Sequence, residues 1–402
     1  MKADEKIGAA KTSEQVRGVL ASQLRAQSEK QLRRKLTPQT QTQNRNYNFS
    51  SNDYLGLSQH SEVIAAYQKG LLNWGAGAGA SPLVTGYTAA HSELAEELAA
   101  WFGVDRVLLF NSGFSANQGV LQVLVKAGVV PIIDKLCHAS IYDGVSCGGG
   151  FNQRIARFQH NNYNDLRDKL PRIAKTACPL VVSEGVFSMD GDTADIAELV
   201  RSKGSGLLML DDAHGVGVTG KASRGVFDHS KARDIDIVTG TFGKAFGVAG
   251  AFVATDHQIA DSLVQGARHL IYSTAFAPAQ AEAIRAGLQL LQRDQTLQLA
   301  LNQRIQLFKQ CAAELKLRFA DSSTAIQPLL VGDNALALRF SQALAEQGFQ
   351  CIAIRPPTVP QGTARIRFTL SLHQSPSAIR ALFSAIADIL EADQELADAC
   401  RI

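Results

Sequence analysis

The chain has 402 residues, of which 46% are hydrophobic and 19% charged, and its formal net charge is +3. That is the composition of an ordinary globular protein, long enough for a large core and two lobes, and it singles out no charged partner. A membrane span is excluded by pattern: the longest apolar stretch, Gly119 to Ile133, is too short and is broken by Lys126 and Pro131.

The opening MKADEKIGAA holds no apolar signal core, so the expected location is the cytoplasm. The six cysteines (137, 147, 178, 311, 351 and 400) form no C-x-x-C pair and have no histidine at metal-ligand spacing. Cys137 adjoins His138, but neighbours in sequence rarely share one metal, and no third ligand is close. These cysteines predict reduced, mostly buried thiols and no metal site.

Residues 1–46 hold ten Lys or Arg against four Asp or Glu, so this arm is strongly basic and the remainder slightly acidic. Two readings stay open for it: a solvated amphipathic segment, or an electrostatic guide for an anionic substrate carrier. Nucleic acid is disfavoured, because the arm lacks interleaved aromatics and no nucleic-acid-binding motif occurs. Residues 13–36 have helical spacing, with Val16, Leu20, Leu24 and Leu32 on or near one face, and Pro38 with the polar run to Asn46 ends the arm. A turn over Ser51–Gly56 and a helix from about His60 to Leu72 follow. Gly75-Ala-Gly-Ala-Gly-Ala-Ser-Pro82 mimics a dinucleotide-binding fingerprint. It fails, because Pro82 falls where the third glycine belongs and no strand precedes it.

From there helix and strand alternate. A helix over 90–102 precedes a strand over 106–110, and a helix over 115–126 precedes a strand over 129–134. Further strands are expected over 180–184, 207–211 and 235–239. The alternation predicts a mainly parallel α/β sheet covered on both faces, with its ligand at the carboxyl ends of the strands. After Pro278 one long helix (about 279–315) and a strand-and-helix tail predict a smaller second lobe. The expected division is an N-terminal arm over 1–50, a large domain over 51–285 and a small domain over 286–402.

The chemistry sits at those strand ends. Leu207-Leu-Met-Leu210 runs into Asp211-Asp-Ala-His214, and Ile235-Asp-Ile-Val238 leads to Thr241-Phe-Gly-Lys-Ala-Phe-Gly247. A carboxylate, an imidazole and a lysine, each after a strand, are what pyridoxal phosphate chemistry requires. The lysine forms the Schiff base, and the carboxylate keeps the pyridine nitrogen protonated. Asn111-Ser-Gly-Phe114 lies between strand and helix, where free N–H groups suit a phosphate. His138 follows another strand and can either stack on a flat cofactor or serve as a structural hydrogen-bonder. Ser188 reads equally as a contact for a polar cofactor edge or as a plain turn residue. Arg365 and Arg367 share one strand face, either turned inward to bind a carboxylate or lying on the surface.

SSNDYLGLS, NSGFSANQ, EGVFSMDGD, DDAHGVGV, TFGKAFG, RHLIYST and RPPTVP follow one another in a single order from residue 50 to residue 360. This set resembles the α-oxoamine synthases, homodimeric fold-type-I pyridoxal phosphate enzymes, over about residue 14 to the C-terminus. RPPTVP is most similar to the branch that condenses L-alanine with a pimeloyl thioester for biotin, rather than to relatives that use glycine or serine. Cys137 stands where a serine is more usual.

The resemblance implies Lys244 at the Schiff base, Asp211 at the pyridine nitrogen, His214 near the phenolic oxygen and His138 stacked on the ring. It implies Gly113 and Phe114 at the phosphate, with Ser188 and Thr241 as further contacts. Ser273 and Thr274 would reach the partner subunit's phosphate. Asn52 and Arg367 would hold the amino-acid carboxylate; Arg33 and Thr358 would contact the acyl donor, carried by coenzyme A or acyl carrier protein. The rivals are a glycine C-acetyltransferase or similar condensing enzyme, an aminotransferase on the same fold, and a non-catalytic subunit. Intact Lys244, Asp211 and His214 argue against the last.

Overall fold

Short apolar runs with no polar alternation demand burial on both faces, and the strands receive it. The computed structural model describes residues 12–38, 44–149 and 155–402; the opening MKADEKIGAA and the run over 39–43 lie outside them. Strands β1 (Arg106–Phe110), β2 (Val130–Asp134), β3 (Ala156–Phe158), β4 (Pro179–Glu184), β5 (Leu207–Asp211), β6 (Ile237–Thr241) and β7 (Ala251–Thr255) form one sheet. Its order is β1-β7-β6-β5-β4-β2-β3. The β3–β2–β4–β5–β6 ladders are parallel, whereas β7 runs antiparallel to both β6 and β1.

All six residues of β4 are buried, and β2 and β5 expose only part of their first residue. Alternate side chains serve opposite faces: Leu180, Val182 and Met209 join one apolar cluster, while Val181, Leu208 and Leu210 join the other. Strands β1, β2, β4, β5 and β6 all point the same way, so the turns after them gather along one edge. The lysine, the acid and both histidines singled out above lie on that edge.

A second sheet is antiparallel, ordered β8-β10-β9 from β8 (Ile326–Gly332), β9 (Ile352–Ile354) and β10 (Ala364–Thr369). Helices Thr296–Glu314, Asn334–Glu346, Pro376–Ala392 and Gln394–Cys400 accompany it.

Three departures from the sequence reading have physical causes. The helix expected over 279–315 is two helices, Pro278–Arg293 and Thr296–Glu314. Asp294 breaks it, its carboxylate accepting from the Thr296 N–H at 2.9 Å and the Thr296 hydroxyl at 2.5 Å, a local alternative to the helix ladder. The arm helix, Ser13–Glu29, stops short of residue 36 because Gln31 adopts a left-handed φ of 57°. It buries none of its residues, so Val16, Leu20 and Leu24 stay exposed. Strands β3 and β7, not expected from sequence, fill the sheet's edge and the gap between β1 and β6. Among the described residues no helix is long and apolar enough to cross a membrane.

Candidate active site

Asp211 closes β5, and two donors hold its carboxylate: Asn117 Nδ2 at 2.7 Å and the Ala213 N–H at 3.0 Å. Three residues on, His214 is buried with Nδ1 2.5 Å from the Tyr54 hydroxyl. Burial keeps this imidazole well below its usual range, and the charges of Lys244 and Arg367 push the same way. Burial also pushes the Tyr54 phenol up to about 12, so Tyr54 holds its proton and donates it to His214.

Lys244 lies in the loop joining β6 to β7. Thr241 Oγ1 buckles that loop, donating to the Gly250 carbonyl at 2.9 Å and accepting from the Gly243 N–H at 3.1 Å. Gly247 has a φ of 66°, and a Cβ there would come within 2.1 Å of the Ser58 nitrogen. Only glycine permits this approach, which presses the Ser50–Ser58 segment onto the lysine loop. Burial lowers the Lys244 amine from its ordinary range to about 8, although Asp211 and Glu184 pull the other way. Among the described residues nothing hydrogen-bonds its Nζ.

His138 follows β2 and turns an exposed ring toward this edge. Its Nδ1 lies 2.8 Å from Ser140 Oγ, and its backbone N–H donates to Glu184 Oε1 at 2.5 Å. The Phe114 ring meets it edge-on, with centroids 6.2 Å apart. Burial and the nearby Asp211 raise the Glu184 carboxyl well above its usual range.

Phe114 opens helix Gly113–Lys126 with Gly113, and Ser112 caps that helix by accepting from the Ser115 N–H at 3.1 Å. Among the described residues nothing accepts from the Gly113 and Phe114 N–H groups, as expected at a helix start. A Cβ on Gly113 would meet only the Thr241 side chain, at 3.9 Å, so the space before the helix is open.

Arg365 and Arg367 both turn inward and are buried. Arg365 pairs with Asp190 at 2.6 Å. Arg367 donates to the Ser188 carbonyl at 2.6 Å, to Thr369 Oγ1 at 2.9 Å and through both terminal nitrogens to Asn52 Oδ1 at 3.3 Å. Asn52, Ser188 and Arg367, 315 residues apart at the extremes, therefore form one cluster.

At the arm, Arg34 rather than Arg33 touches Thr358, its Nη2 donating to Oγ1 at 3.2 Å. Arg355 donates to the Gln31 carbonyl, so two short contacts pin the arm to the RPPTVP turn. Arg33 is exposed beside them. Ser273 and Thr274 border the start of helix Gly113–Lys126: the Thr274 carbonyl accepts from Asn111 Nδ2, two residues before Gly113, at 2.8 Å, and both residues line an apolar cavity of about 470 Å³ whose lining includes neither Lys244 nor Asp211. Four cysteines are buried, Cys147 and Cys178 are exposed, and all six are free thiols.

Sequence reasoning missed Tyr54, Asn117, Ser140, Glu184, Arg34 and Arg355. Tyr54, Asn117, Glu184 and Arg355 stood inside the quoted motifs, but nothing in the string says that they face the site.

These residues fit pyridoxal phosphate. An unpaired lysine amine for the aldehyde, open helix-start N–H groups for the phosphate, a held carboxylate and a flat exposed imidazole match the donors that this cofactor needs. Residues 45–386 match the model of the class I and II aminotransferase family. The 8-amino-7-oxononanoate synthase of Yersinia pestis (strain Pestoides F) is 47% identical over 341 residues, covering 84% of this chain and 88% of that protein. Among solved structures, serine palmitoyltransferase from S. paucimobilis with a bound PLP–myriocin aldimine superposes with a TM-score of 0.87 at 26% identity, over 95% of this chain and 99% of that one. The 8-amino-7-oxononanoate synthase of Francisella tularensis superposes with a TM-score of 0.73 at 27% identity, over 86% and 98%.

Proposed function

We propose a function from one premise: the chain belongs to the class I and II aminotransferase family and, within it, to the 8-amino-7-oxononanoate synthases. It joins L-alanine to a pimeloyl thioester, giving 8-amino-7-oxononanoate, carbon dioxide and the free thiol carrier, in the biotin pathway. The single observation that carries the reading is the convergence of Lys244, Asp211, His214 and His138 on the carboxyl edge of the large sheet.

Pyridoxal phosphate, when bound, supplies an electron sink that stabilises a carbanion at the amino-acid Cα. Gly113 and Phe114 would offer their N–H groups to its phosphate, Ser188 and Thr241 would be further contacts, and Asp211 would hold the proton on its ring nitrogen. His214, kept neutral by burial, would lie near the phenolic oxygen. Arg367 and Asn52 receive the alanine carboxylate as a bidentate partner. Lys244 Nζ takes the Cα proton, and an amine lowered to about 8 is partly neutral at physiological pH, so it is equipped to do so. His138 donates a hydrogen bond to the thioester carbonyl oxygen as the new carbon–carbon bond forms and the carbon–sulfur bond breaks. One such donor aimed at a developing oxyanion contributes roughly 10²–10³-fold.

The basic arm, with Arg33, Arg34 and Arg355 around Thr358, receives the anionic carrier, whether coenzyme A or acyl carrier protein. A homodimer and the division into an arm, a large domain and a small domain at residues 50 and 285 complete the reading. Its test is direct. Purified protein with pyridoxal phosphate, L-alanine and pimeloyl-CoA or pimeloyl-acyl carrier protein should release thiol and carbon dioxide in equal amounts. Glycine with acetyl-CoA as the better pair would overturn the assignment in favour of a C-acetyltransferase.

A further inference from the structure

Asn117 and Ser140 are 1% and 0% exposed, and the reaction above makes no use of them. Asn117 lies in helix Gly113–Lys126 and Ser140 in the first turn of helix Ala139–Gly149. The Asn117 side chain has three partners. Its Nδ2 is 2.7 Å from Asp211 Oδ2 and 2.9 Å from Ser140 Oγ, and its Oδ1 is 2.7 Å from Thr239 Oγ1. A carboxylate oxygen accepts, so the amide nitrogen must face Asp211, which leaves the amide oxygen to the Thr239 hydroxyl. Both amide hydrogens are then committed, one to Asp211 and the other to Ser140 Oγ.

Ser140 Oγ therefore accepts from Asn117, and its own hydrogen is free for His138 Nδ1 at 2.8 Å. The Ser140 N–H aims at the same nitrogen from 3.3 Å. Two donors converge on Nδ1, so Nδ1 is the bare nitrogen of the imidazole and the ring hydrogen sits on Nε2.

We infer that Ser140, oriented by Asn117, is a positioning residue that locks His138 as the Nε2–H tautomer, making its free edge a hydrogen-bond donor toward the acyl carbonyl oxygen. The inference deepens the proposed function and rests on the role given there to His138. The opposite tautomer would present a lone pair to that oxygen and repel it. One amide thus serves both the acid at the ring nitrogen and the histidine above the ring.

The test is the imidazole nitrogen spectrum of histidine-labelled protein, recorded with and without pyridoxal phosphate. His138 is identified by the signal lost in His138→Gln. The unsubstituted protein should show hydrogen on Nε2 and a bare Nδ1. Ser140→Ala should mix the two tautomers and lower kcat for condensation about tenfold, the worth of one hydrogen bond, with the KM for alanine unchanged. Thr239→Val, which keeps shape but frees the Asn117 amide, should shift the tautomer the same way by less. Hydrogen on Nδ1 in the unsubstituted protein, or an Nε2–H signal that Ser140→Ala leaves intact, overturns the inference. Undiminished condensation by His138→Gln overturns instead the donor role in the proposed function, while the tautomer is judged on the spectrum alone.

Discussion

Lys244 has an ammonium range set by conflict: burial drives it down, Asp211 and Glu184 push back, and the balance lies at about 8. A free lysine side chain would hold its proton to about pH 10.4. Cofactor capture needs the neutral amine, so its rate in cofactor-free protein should climb as pH rises through about 8 and level off above it. Trapping with borohydride after mixing at graded pH measures this, and the pyridoxyl group should be found on Lys244 in digested protein. A pyridoxyl group on another lysine, or a rate still climbing toward pH 10, would refute the assignment. This lysine was legible because it follows a strand and sits among glycines, as were Asp211 and His214. Asn117 was not, because its partner Asp211 is 94 residues away and the contact exists only once helix and strand are packed.

At the scale of elements, the turn from Gly185 to Thr193 matters most, because it carries Ser188 and supplies the carbonyl that holds Arg367. His160 fastens that turn to β2. Its Nδ1 is 3.0 Å from Asp134, its Nε2 is 2.7 Å from Asp192, and the Phe187 ring packs edge-on against it. Asn161 adds N–H donors to the same two acids. Burial lowers the His160 imidazole, but the hydrogen bonds and charges of Asp134 and Asp192 outweigh it and raise it to about 10. An unfolded histidine titrates near 6.5. A folded value above the unfolded one gives stability that is complete below pH ~6.5 and is lost as pH rises toward about 10. The difference in melting temperature between the parent and His160→Gln should therefore be largest near pH 6 and shrink toward pH 10. A constant difference across that range would mean that the ring serves by packing alone. Sequence showed the strands that this clamp joins, by their apolar runs and turn residues. It could not show the clamp, since strand order decides which turns become neighbours.

At the scale of the whole molecule, several large apolar side chains are exposed in the single chain. Leu72, Val84 and Tyr272 are 88%, 74% and 69% exposed, and the arm helix adds Val16, Leu20 and Leu24. The proposed homodimer would have side chains of this kind to cover. Ser273 and Thr274 line a cavity with Leu83 and Tyr87, and the Lys244 loop of their own chain forms no part of its lining. If they complete the partner's cofactor site, two inactive proteins can repair each other. Lys244→Ala lacks the amine, and the double substitution Ser273→Ala and Thr274→Ala lacks the donated hydroxyls. A hybrid dimer of the two carries one site with both defects and one with neither. Random reassembly of an equal mixture makes half the dimers hybrid, so about a quarter of all sites are whole and activity should approach about a quarter of the parent's. Were each site built within one chain, every site in the mixture would keep a defect and activity would stay at the level of the separate variants. Full activity from a species that sediments as a monomer would refute the shared site outright.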